Sequence, residues 1–504
     1  MTRPVKSERN LPQLAAALIA AAGLAIAIVW SALHRGPYYD EFYTQYVTRP
    51  GIGWWEAFTG SWLTDNHPPL FYVLMRATTW LGDIPHHRLF NLAIAALTLA
   101  AGWVAVRRQA DLRRTALFML LVLAANPWTL LSATDLRSYF LSLCAVTLLC
   151  LSLSAIWIAP ESQSRGRAAV YGVAVMVAFN THIITTLLAG AMLIPFLSLA
   201  LVRRDGPRLR ALLPAPIVAG LVFAAITAVQ LSQWEKNTQV FWISGGFNAA
   251  RYSIQYAAQR TLEANLPILL CSVAGGVLML RDAVRMRNIE GLPLACFLTA
   301  AGVFLALTLL IGIHLVRPIL VEKYLVAMVA TLAFLLAATA VRALDALPRR
   351  AEPWILAITL AASGAALQSN ARSVAEQYSW LGTGQLIAKA ARQCPGTTVH
   401  IAPYWNADVM AMPPSENRAV MPWAYSEVAR MLGFLVAPAP SRTLSRECPN
   451  LFWAEHDPTQ RFSNAQILEH LQRSGFAVSE AFVYRIGHGW VASDRPLPPQ
   501  PALP

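Results

Sequence analysis

The first apolar segment of the chain, residues 11–33, reads LPQLAAALIAAAGLAIAIVWSAL. About 20 apolar residues in a helix cross the roughly 30 Å of hydrocarbon in a bilayer, so this segment predicts a transmembrane helix. It is too long, and too poor in a small-residue cleavage site, for a removed signal peptide, and we interpret it as a retained signal anchor. Two adjacent carboxylates, Asp40 and Glu41, follow in a loop. Acidic side chains at a membrane boundary are costly to desolvate, which favours a functional role.

Similar apolar segments recur along the chain. Hydrophobic residues make up 56% and charged residues 13% of the sequence, whereas a soluble domain has about 25% charged residues. Blocks of roughly twenty apolar residues predict a polytopic α-helical membrane protein, because the strands of a membrane β-barrel would alternate over about ten residues. We expect about eleven transmembrane helices, at residues 11–33, 86–106, 115–133, 139–159, 168–181, 183–202, 211–231, 263–280, 291–313, 321–341 and 354–370.

Basic residues divide the predicted loops into two classes. Arginines are concentrated in alternate loops, at residues 107–114, 165–167, 203–210, 281–287 and 342–350. By the positive-inside rule, these loops face the cytoplasm. Eleven crossings then place the first outer loop, residues 34–85, and the C-terminal tail on the outer face. We therefore expect a membrane domain at residues 1–370 and an extracytoplasmic domain at residues 371–504.

The tail has the sequence pattern of a small α/β domain. It is large enough to form its own core and holds Cys394 and Cys448, whereas the other four cysteines lie in apolar segments. Two cysteines in an outward-facing domain favour a disulfide, although free thiols remain the alternative. The pattern predicts a helix and four strands, at Asn464–Arg473 and at Thr397–Pro403, Leu451–Glu455, Ala481–Ile486 and Gly489–Ala492.

The distribution of charge argues against a nucleic-acid partner. Residues 371–504 contain 11 Lys and Arg residues against 10 Asp and Glu residues. The formal net charge of +13 therefore lies almost wholly in the membrane part, where it is spread over helix flanks and forms no single patch.

Basic residues near helix ends lie on the predicted outer face, against the positive-inside rule: Arg76, Arg137, Arg317 and Lys323. Two of them lie beside an acidic residue. Arg137 follows Asp135 between the third and fourth spans, and Lys323 follows Glu322 at the start of the tenth. One interpretation is that they reach lipid headgroups or pair with these acids. The other is that they bind an anionic substrate group such as a lipid phosphate.

Histidines lie on the same predicted face. His67 precedes Pro68 and Pro69, which prevent a helix from continuing and so orient the residues before them. His182 lies at the next outward turn, where a lone histidine is more often packed than catalytic.

Taken together, these motifs resemble the GT-C class of glycosyltransferases. More narrowly, they are similar to the bacterial family-39-like members: protein O-mannosyltransferases, aminoarabinose transferases acting on lipid A, and galacturonosyl transferases of lipopolysaccharide. The resemblance covers roughly residues 30–340. It rests on Asp40-Glu41, His67-Pro68-Pro69-Leu70-Phe71-Tyr72, Gly82-Asp83, Asp135-Leu136-Arg137-Ser138-Tyr139, Thr181-His182 and the basic residue before Tyr324-Leu325.

The resemblance implies a GT-C-like membrane domain and an inverting transfer of a monosaccharide. The donor would be a polyprenyl-phosphate sugar, and the acceptor a lipid A or core glycan, a glycolipid or a protein. The implied location is the outer face of the bacterial cytoplasmic membrane, in contact with membrane lipids.

The chemistry of such a transfer suggests a role for each of the motif residues. An inverting transfer needs a base for the acceptor hydroxyl, and we assign Asp40, with Glu41 orienting it or binding the acceptor. The leaving phosphate needs its negative charge stabilised, which we assign to Lys323, Arg137 and Tyr324, although the family more often has arginine at position 323. Positioning of donor and acceptor is assigned to His67, Asp135, Tyr139 and His182.

Other interpretations stay open on the sequence alone. Asp40, Glu41 and Asp135 offer oxygen ligands for a divalent metal, but no spacing demands one. A transporter or flippase for lipid-linked sugars would also be polytopic, although it would more often show inverted repeats and charges near the midplane. A non-catalytic envelope assembly factor could share the fold.

Overall fold

The structure, a computed structural model, describes residues 11–160, 164–237, 243–286, 289–348, 350–402, 420–438, 441–455 and 462–497. The chain divides into two compact units. The membrane unit comprises the residues up to Leu33 together with Pro50–Val374, and the C-terminal unit comprises His34–Arg49 together with the residues from Ala375. Residues 34–49, which the sequence analysis assigns to the membrane domain, thus belong to the C-terminal unit.

The membrane unit is helical in the part of the chain that the structure describes. Short 3₁₀ or π turns lie at Phe58–Trp62, Thr79–Leu81, Glu263–Asn265 and Glu322–Leu325. Its α-helices are α1 (Leu11–His34), α3 (Trp54–Ala57), α4 (Leu70–Ala77), α5 (Ile84–His87), α6 (Phe90–Val106), α7 (Ala110–Ala125), α8 (Pro127–Ala133), α9 (Tyr139–Ile158), α10 (Arg165–Thr181), α11 (Ile183–Val202), α12 (Gly206–Leu212), α13 (Pro214–Asn237), α14 (Phe247–Leu262), α15 (Leu266–Met286), α16 (Gly291–Val316), α17 (Val326–Ala346) and α18 (Glu352–Ala375).

Helices α9 and α17 form the core of the membrane unit. Most residues of both helices are buried, as expected for helices that other helices surround. Helix α17 packs against α7, α9 and α15, and α9 packs against α6 and α10. On α15, a Cβ at Gly275 would collide with the backbone of Thr339 on α17. Glycine therefore allows the two backbones to approach closely, as small residues do between membrane helices.

The predicted count of about eleven spans is larger than the number of long apolar helices. Among the described residues, eight helices are long and apolar enough to cross a membrane, or nine if the bent pair α7 and α8 is one span. The predicted spans 168–181 and 354–370 are helical but do not qualify. The first lies in α10, which has 17 residues, and the second lies in α18, whose last two turns carry Gln368, Asn370 and Arg372.

One predicted span is broken. The sequence predicts a continuous helix at residues 115–133, but α7 and α8 meet at an angle of 76°. Asn126 caps α8 by accepting a hydrogen bond from the Trp128 N–H at 2.8 Å. Pro127 occupies the first position of α8, where its missing N–H is not needed. An Asn-Pro pair thus ends one helix and starts the next.

The C-terminal unit is the small α/β domain that the sequence predicts. Its four-stranded sheet has the order β1-β2-β4-β3. Strands β1 and β2 are parallel, and β4 is antiparallel to both β2 and β3. Pro403, the predicted last residue of the first strand, lies outside the described residues. The elements are α2 (Tyr39–Val47), α19 (Leu381–Gln393), β1 (Thr398–Ile401), α20 (Val420–Leu432), β2 (Asn450–Glu455), α21 (Asn464–Arg473), β3 (Phe482–Ile486) and β4 (Gly489–Ser493).

Strand β2 is buried on both faces, so its sequence NLFWAE does not alternate. On one face, Phe452 and Ala454 pack against Ile467 and Leu471 of α21. On the other face, Trp453 contacts Tyr425 of α20, with ring centroids 4.7 Å apart. Helices therefore cover both sides of the sheet.

A disulfide joins Cys394, which follows α19, to Cys448, which precedes β2. The Cα atoms are 5.6 Å apart, within the usual range for a disulfide. The bridge is the one that the sequence analysis favours, and it fixes the two chain segments that enter the sheet.

Glu455, at the end of β2, is a fully buried carboxyl group. Tyr378 and Thr383 donate hydrogen bonds to it from their hydroxyls, and Trp453 donates from its indole N–H at 2.9 Å. Burial raises the pKa of Glu455 from its ordinary 4.5 to about 7, although these hydrogen bonds act in the opposite direction.

The buried carboxyl of Glu455 predicts that the stability of the C-terminal unit depends on pH. Because the folded pKa of Glu455 lies above the unfolded value, its contribution to stability is complete below pH 4.5 and is lost as pH rises through about 7. The loss amounts to about 3 kcal/mol. We expect hydrogen exchange in β2 and β4 of the full chain, corrected for intrinsic rates, to report this loss between pH 4.5 and 8. Glu455→Gln should remove it, and an unchanged slope in that variant would contradict the assignment.

Candidate functional site

Four residues that the sequence assigns to the site lie together in the membrane unit. His67 and His182 stack with ring centroids 4.6 Å apart and planes inclined by 30°. Tyr324 lies 5.0 Å from His182, and Tyr139 lies 5.8 Å from His182 and 6.0 Å from Tyr324. We call these four residues the His–Tyr cluster. Segments far apart in the sequence, at residues 67, 139, 182 and 324, therefore converge on one place.

Breaks between helices place the members of the His–Tyr cluster. Tyr139 is the first residue of α9, and Tyr324 lies in the 3₁₀ turn before α17. His182 separates α10 from α11 in an extended conformation, with φ −154° and ψ 137°. Asn180 just before it has left helical geometry, at φ −117° and ψ 18°. The rings of Tyr139, His182 and Tyr324 thus lie at helix ends, where the chain can turn them toward one another.

His67 is held by a residue that the sequence analysis did not single out. Gln230, a fully buried side chain on α13, donates hydrogen bonds from its amide to the carbonyls of Trp62, Asp65 and His67, at 3.3, 3.1 and 3.0 Å. Tyr72 of α4 also donates a hydrogen bond to the carboxylate of Asp65. The signal in the sequence was a lone glutamine at the end of the apolar segment 211–231.

Basic side chains surround His182. Burial, and then the proximity of the basic side chains of His67, Arg137 and Lys323, hold the pKa of His182 well below its ordinary 6.5. The Lys323 ammonium lies 5.8 Å from the centre of the Tyr324 ring. His182 is therefore neutral at physiological pH, beside cationic groups that attract an anion.

Asp135, two residues before Arg137 in the sequence, is buried and 4% exposed. The side-chain amide of Asn91 on α6 donates to the backbone carbonyls of Ala133 and Asp135, at 2.9 and 3.2 Å. Asn91 thereby fixes the turn that carries Asp135 and Arg137 into α9.

Asp40 and Glu41 lie in the first turn of α2, in the C-terminal unit. Phe42 packs against Trp380 and Trp423, with centroids 5.2 and 6.2 Å away, and the backbone N–H of Trp380 donates to the carbonyl of Pro37 at 3.0 Å. These contacts hold α2 to the helices of that unit.

The two acidic residues have different surroundings. Glu41 is fully buried, and its carboxylate accepts a hydrogen bond from the backbone N–H of Tyr38 at 3.3 Å, closing a capping box at the start of α2. Asp40 is half-buried, and the N-terminus of a helix favours a negative charge there. Glu41 is therefore engaged in the cap of α2, whereas Asp40 keeps part of its surface exposed.

Among the described residues, no group of three or more His, Cys, Asp or Glu side chains is arranged to hold a metal ion.

An apolar crevice begins at the His–Tyr cluster. It lies between α11, α16 and α17. Tyr324, which belongs to the cluster, forms part of its wall. Its lining residues are Ile184, Leu188, Leu307, Leu310, Tyr324, Leu325, Ala327 and Met328. A polar, cationic region therefore borders directly on an apolar one.

The chain is similar in structure to ArnT from Cupriavidus metallidurans. The apo structure of that protein has a TM-score of 0.56 and 15% identity, covering 95% of this chain and 98% of that chain. The structure of ArnT bound to undecaprenyl phosphate has a TM-score of 0.53 and 15% identity, covering 98% of this chain and 100% of that chain. No family model matches the chain, and no curated protein matches it in sequence. The chain therefore has a fold similar to that of ArnT.

Proposed function

We propose that the protein is an inverting glycosyltransferase. It would move a monosaccharide from a polyprenyl-phosphate donor to an envelope acceptor at the outer face of the bacterial cytoplasmic membrane. The acceptor would be lipid A or core glycan, a glycolipid or a protein.

The observation that carries this proposal is the His–Tyr cluster with its basic neighbours. Arg137 and Lys323 supply positive charge beside neutral donors, which suits a phosphate with its several acceptor oxygens. The cluster lies in the membrane unit, where a lipid-linked substrate has access. The structure of ArnT bound to undecaprenyl phosphate supports such a ligand for this fold.

The apolar crevice supports the lipid part of the donor. A prenyl chain is hydrocarbon, and its burial against residues such as Leu188, Leu307 and Leu310 removes apolar surface from water. Tyr324 lines the crevice and lies beside the Lys323 ammonium, so the lipid chain would approach from this apolar side while the phosphate faces Lys323.

The proposed reaction assigns each of these groups a role. The acceptor hydroxyl oxygen forms a bond to C1 of the sugar as the bond from C1 to the phosphate oxygen breaks. The electron pair of the broken bond stays on the phosphate, and Lys323 and Arg137 stabilise the added negative charge. Asp40 takes the proton of the acceptor hydroxyl. The products are the glycosylated acceptor and a polyprenyl monophosphate.

The Cys394–Cys448 bridge supports an extracytoplasmic C-terminal unit, because disulfides persist in oxidising compartments. A reporter fused after residue 370 should therefore be active outside the cytoplasm. A reporter fused near Arg285, in an arginine-rich loop, should be active inside. Alkaline phosphatase and a cytoplasm-dependent fluorescent protein at both positions provide matched readouts. A cytoplasmic C-terminal unit would contradict the proposed orientation.

The acceptor can be identified by comparing envelope lipids and glycans from a deletion strain and its parent. We expect one component to lose one sugar in the deletion strain and to recover it on complementation. Unchanged lipids, glycans and glycoproteins under conditions of confirmed expression would argue for a protein without transferase activity.

A further inference from the structure

The imidazole of His182 has a fixed tautomer. Its Nδ1 atom accepts a hydrogen bond from the backbone N–H of Ile184 at 3.2 Å and so caps α11. The backbone N–H of Thr186 donates to the His182 carbonyl at 2.9 Å, which completes the first turn of α11. In a neutral imidazole, one ring nitrogen accepts and the other carries the hydrogen. Nε2 of His182 is therefore an N–H donor.

This Nε2–H group is buried without a hydrogen-bond partner among the described residues. His182 as a whole is only 3% exposed. Buried polar atoms in proteins are nearly always hydrogen-bonded, so an exception asks for an explanation. A ligand oxygen at this position would satisfy the donor.

The surroundings of the donor define the kind of ligand. Arg137 and Lys323 act electrostatically on His182, and His67 stacks on its ring at 4.6 Å. Basic groups around a neutral N–H donor select an anionic oxygen acceptor and disfavour a cation or a second donor. A phosphate combines negative charge with several acceptor oxygens.

We propose that His182 binds the phosphate of the polyprenyl-phosphate donor, donating a hydrogen bond from Nε2 to a phosphate oxygen. This inference rests on the proposed function and gives His182 a specific role within it. A hydrogen bond to this oxygen strengthens as the bond to the sugar breaks, because negative charge accumulates on the phosphate. His182 supplies that bond without adding a further buried charge next to Arg137 and Lys323.

Two substitutions separate the cap of α11 from the distal donor. His182→Asn retains an acceptor near Nδ1, since asparagine is a good N-cap, but has no atom at the position of Nε2. His182→Gln places an amide N–H near Nε2 and gives up the cap. Phosphate binding by Nε2 therefore predicts opposite rankings of the two variants. The His182→Asn variant should be the more stable of the two, and the His182→Gln variant should bind phosphate more tightly.

The test measures affinity for a polyprenyl monophosphate and for the polyprenol of equal length, using the purified full chain. We expect His182→Asn to lose about tenfold or more in affinity for the monophosphate, the scale of a hydrogen bond to a charged group. Affinity for the polyprenol should not change. Thermal unfolding of each variant supplies the stability ranking.

Thr186→Val is the matched structural control. Thr186 donates from its hydroxyl to the carbonyls of Phe179 and His182, at 2.7 and 3.2 Å, and so stabilises the same helix break. This variant should lower the unfolding temperature and keep the wild-type affinity.

Three results would overturn the inference. If folded His182→Asn binds the monophosphate with wild-type affinity, His182 does not donate to the phosphate, while the proposed transferase function still stands. An equal loss of affinity in Thr186→Val would assign the effect to the helix break. A wild-type protein that binds the monophosphate no better than the polyprenol would refute the proposed function and this inference together.

Discussion

Asp40→Asn is expected to lower the single-turnover rate of sugar transfer at least ~10²-fold, the low end of what a general base supplies. The substitution preserves the shape of the side chain and removes its ability to take a proton. Donor affinity should stay close to that of wild type, because the acceptor proton is transferred only in the transition state. Rapid-quench assays with saturating enzyme separate the two quantities.

Two further variants serve as a comparison and a control for Asp40→Asn. In the proposed reaction, Lys323 contacts the phosphate in both donor and transition state, so Lys323→Ala should weaken donor binding as well as slow turnover. Glu469→Gln neutralises an exposed acid on α21 of the same unit as Asp40 and should change neither. Near-normal turnover in Asp40→Asn with a confirmed substrate would move the base to another carboxylate or refute the transferase proposal.

Loss of the Cys394–Cys448 bridge should destabilise the C-terminal unit by about 4 kcal/mol, since the bridge closes a loop with a sequence separation of 54. We expect the double variant Cys394→Ala/Cys448→Ala to lose hydrogen-exchange protection in β1 and β2. Protection of α9 and α17 in the membrane unit should remain. In the native protein, both thiols should resist alkylation until a reductant is added.

The control for the disulfide is Cys271→Ser. Cys271 is a half-buried free cysteine on α15, so its loss tests for general effects of cysteine substitution and should leave β1 and β2 protected. Alkylation of Cys394 or Cys448 in unreduced native protein would contradict the assignment of the bridge.

Much of the architecture could be predicted from the sequence. Long apolar runs locate α1, α9, α11 and α16 to within a few residues, because burial in hydrocarbon demands length and apolarity alone. The strands of the C-terminal unit are also predicted closely. Two predicted spans differ from the structure for local reasons. Asn126 and Pro127 break one span, and polar residues in α18 shorten the apolar part of another.

Part of the candidate site could also be predicted. His67, Tyr139, His182 and Tyr324 were recognised as motif residues, and they lie together in the structure. They could be predicted because they lie between apolar segments, and such turns can be recognised in a sequence. Polar rings in turns on the same side of the membrane are expected to lie near one another.

The remainder depended on tertiary contacts that no local pattern encodes. Nothing near Phe42 indicates that it packs on Trp380, so the association of residues 34–49 with the C-terminal unit was missed. Gln230 was likewise missed, because its partners are backbone carbonyls 163 to 168 positions away. A backbone carbonyl has no sequence signature.

We propose that the protein breaks the bond between a sugar and a lipid phosphate. The most direct test follows a polyprenyl-phosphate donor labelled in both sugar and lipid, with purified protein in vesicles and a membrane extract as the source of acceptor. We expect labelled sugar to enter the acceptor fraction in step with the release of polyprenyl monophosphate, and Asp40→Asn to slow both at least ~10²-fold. Movement of the intact, doubly labelled donor across the bilayer, with no monophosphate released, would contradict this proposal and identify a transporter.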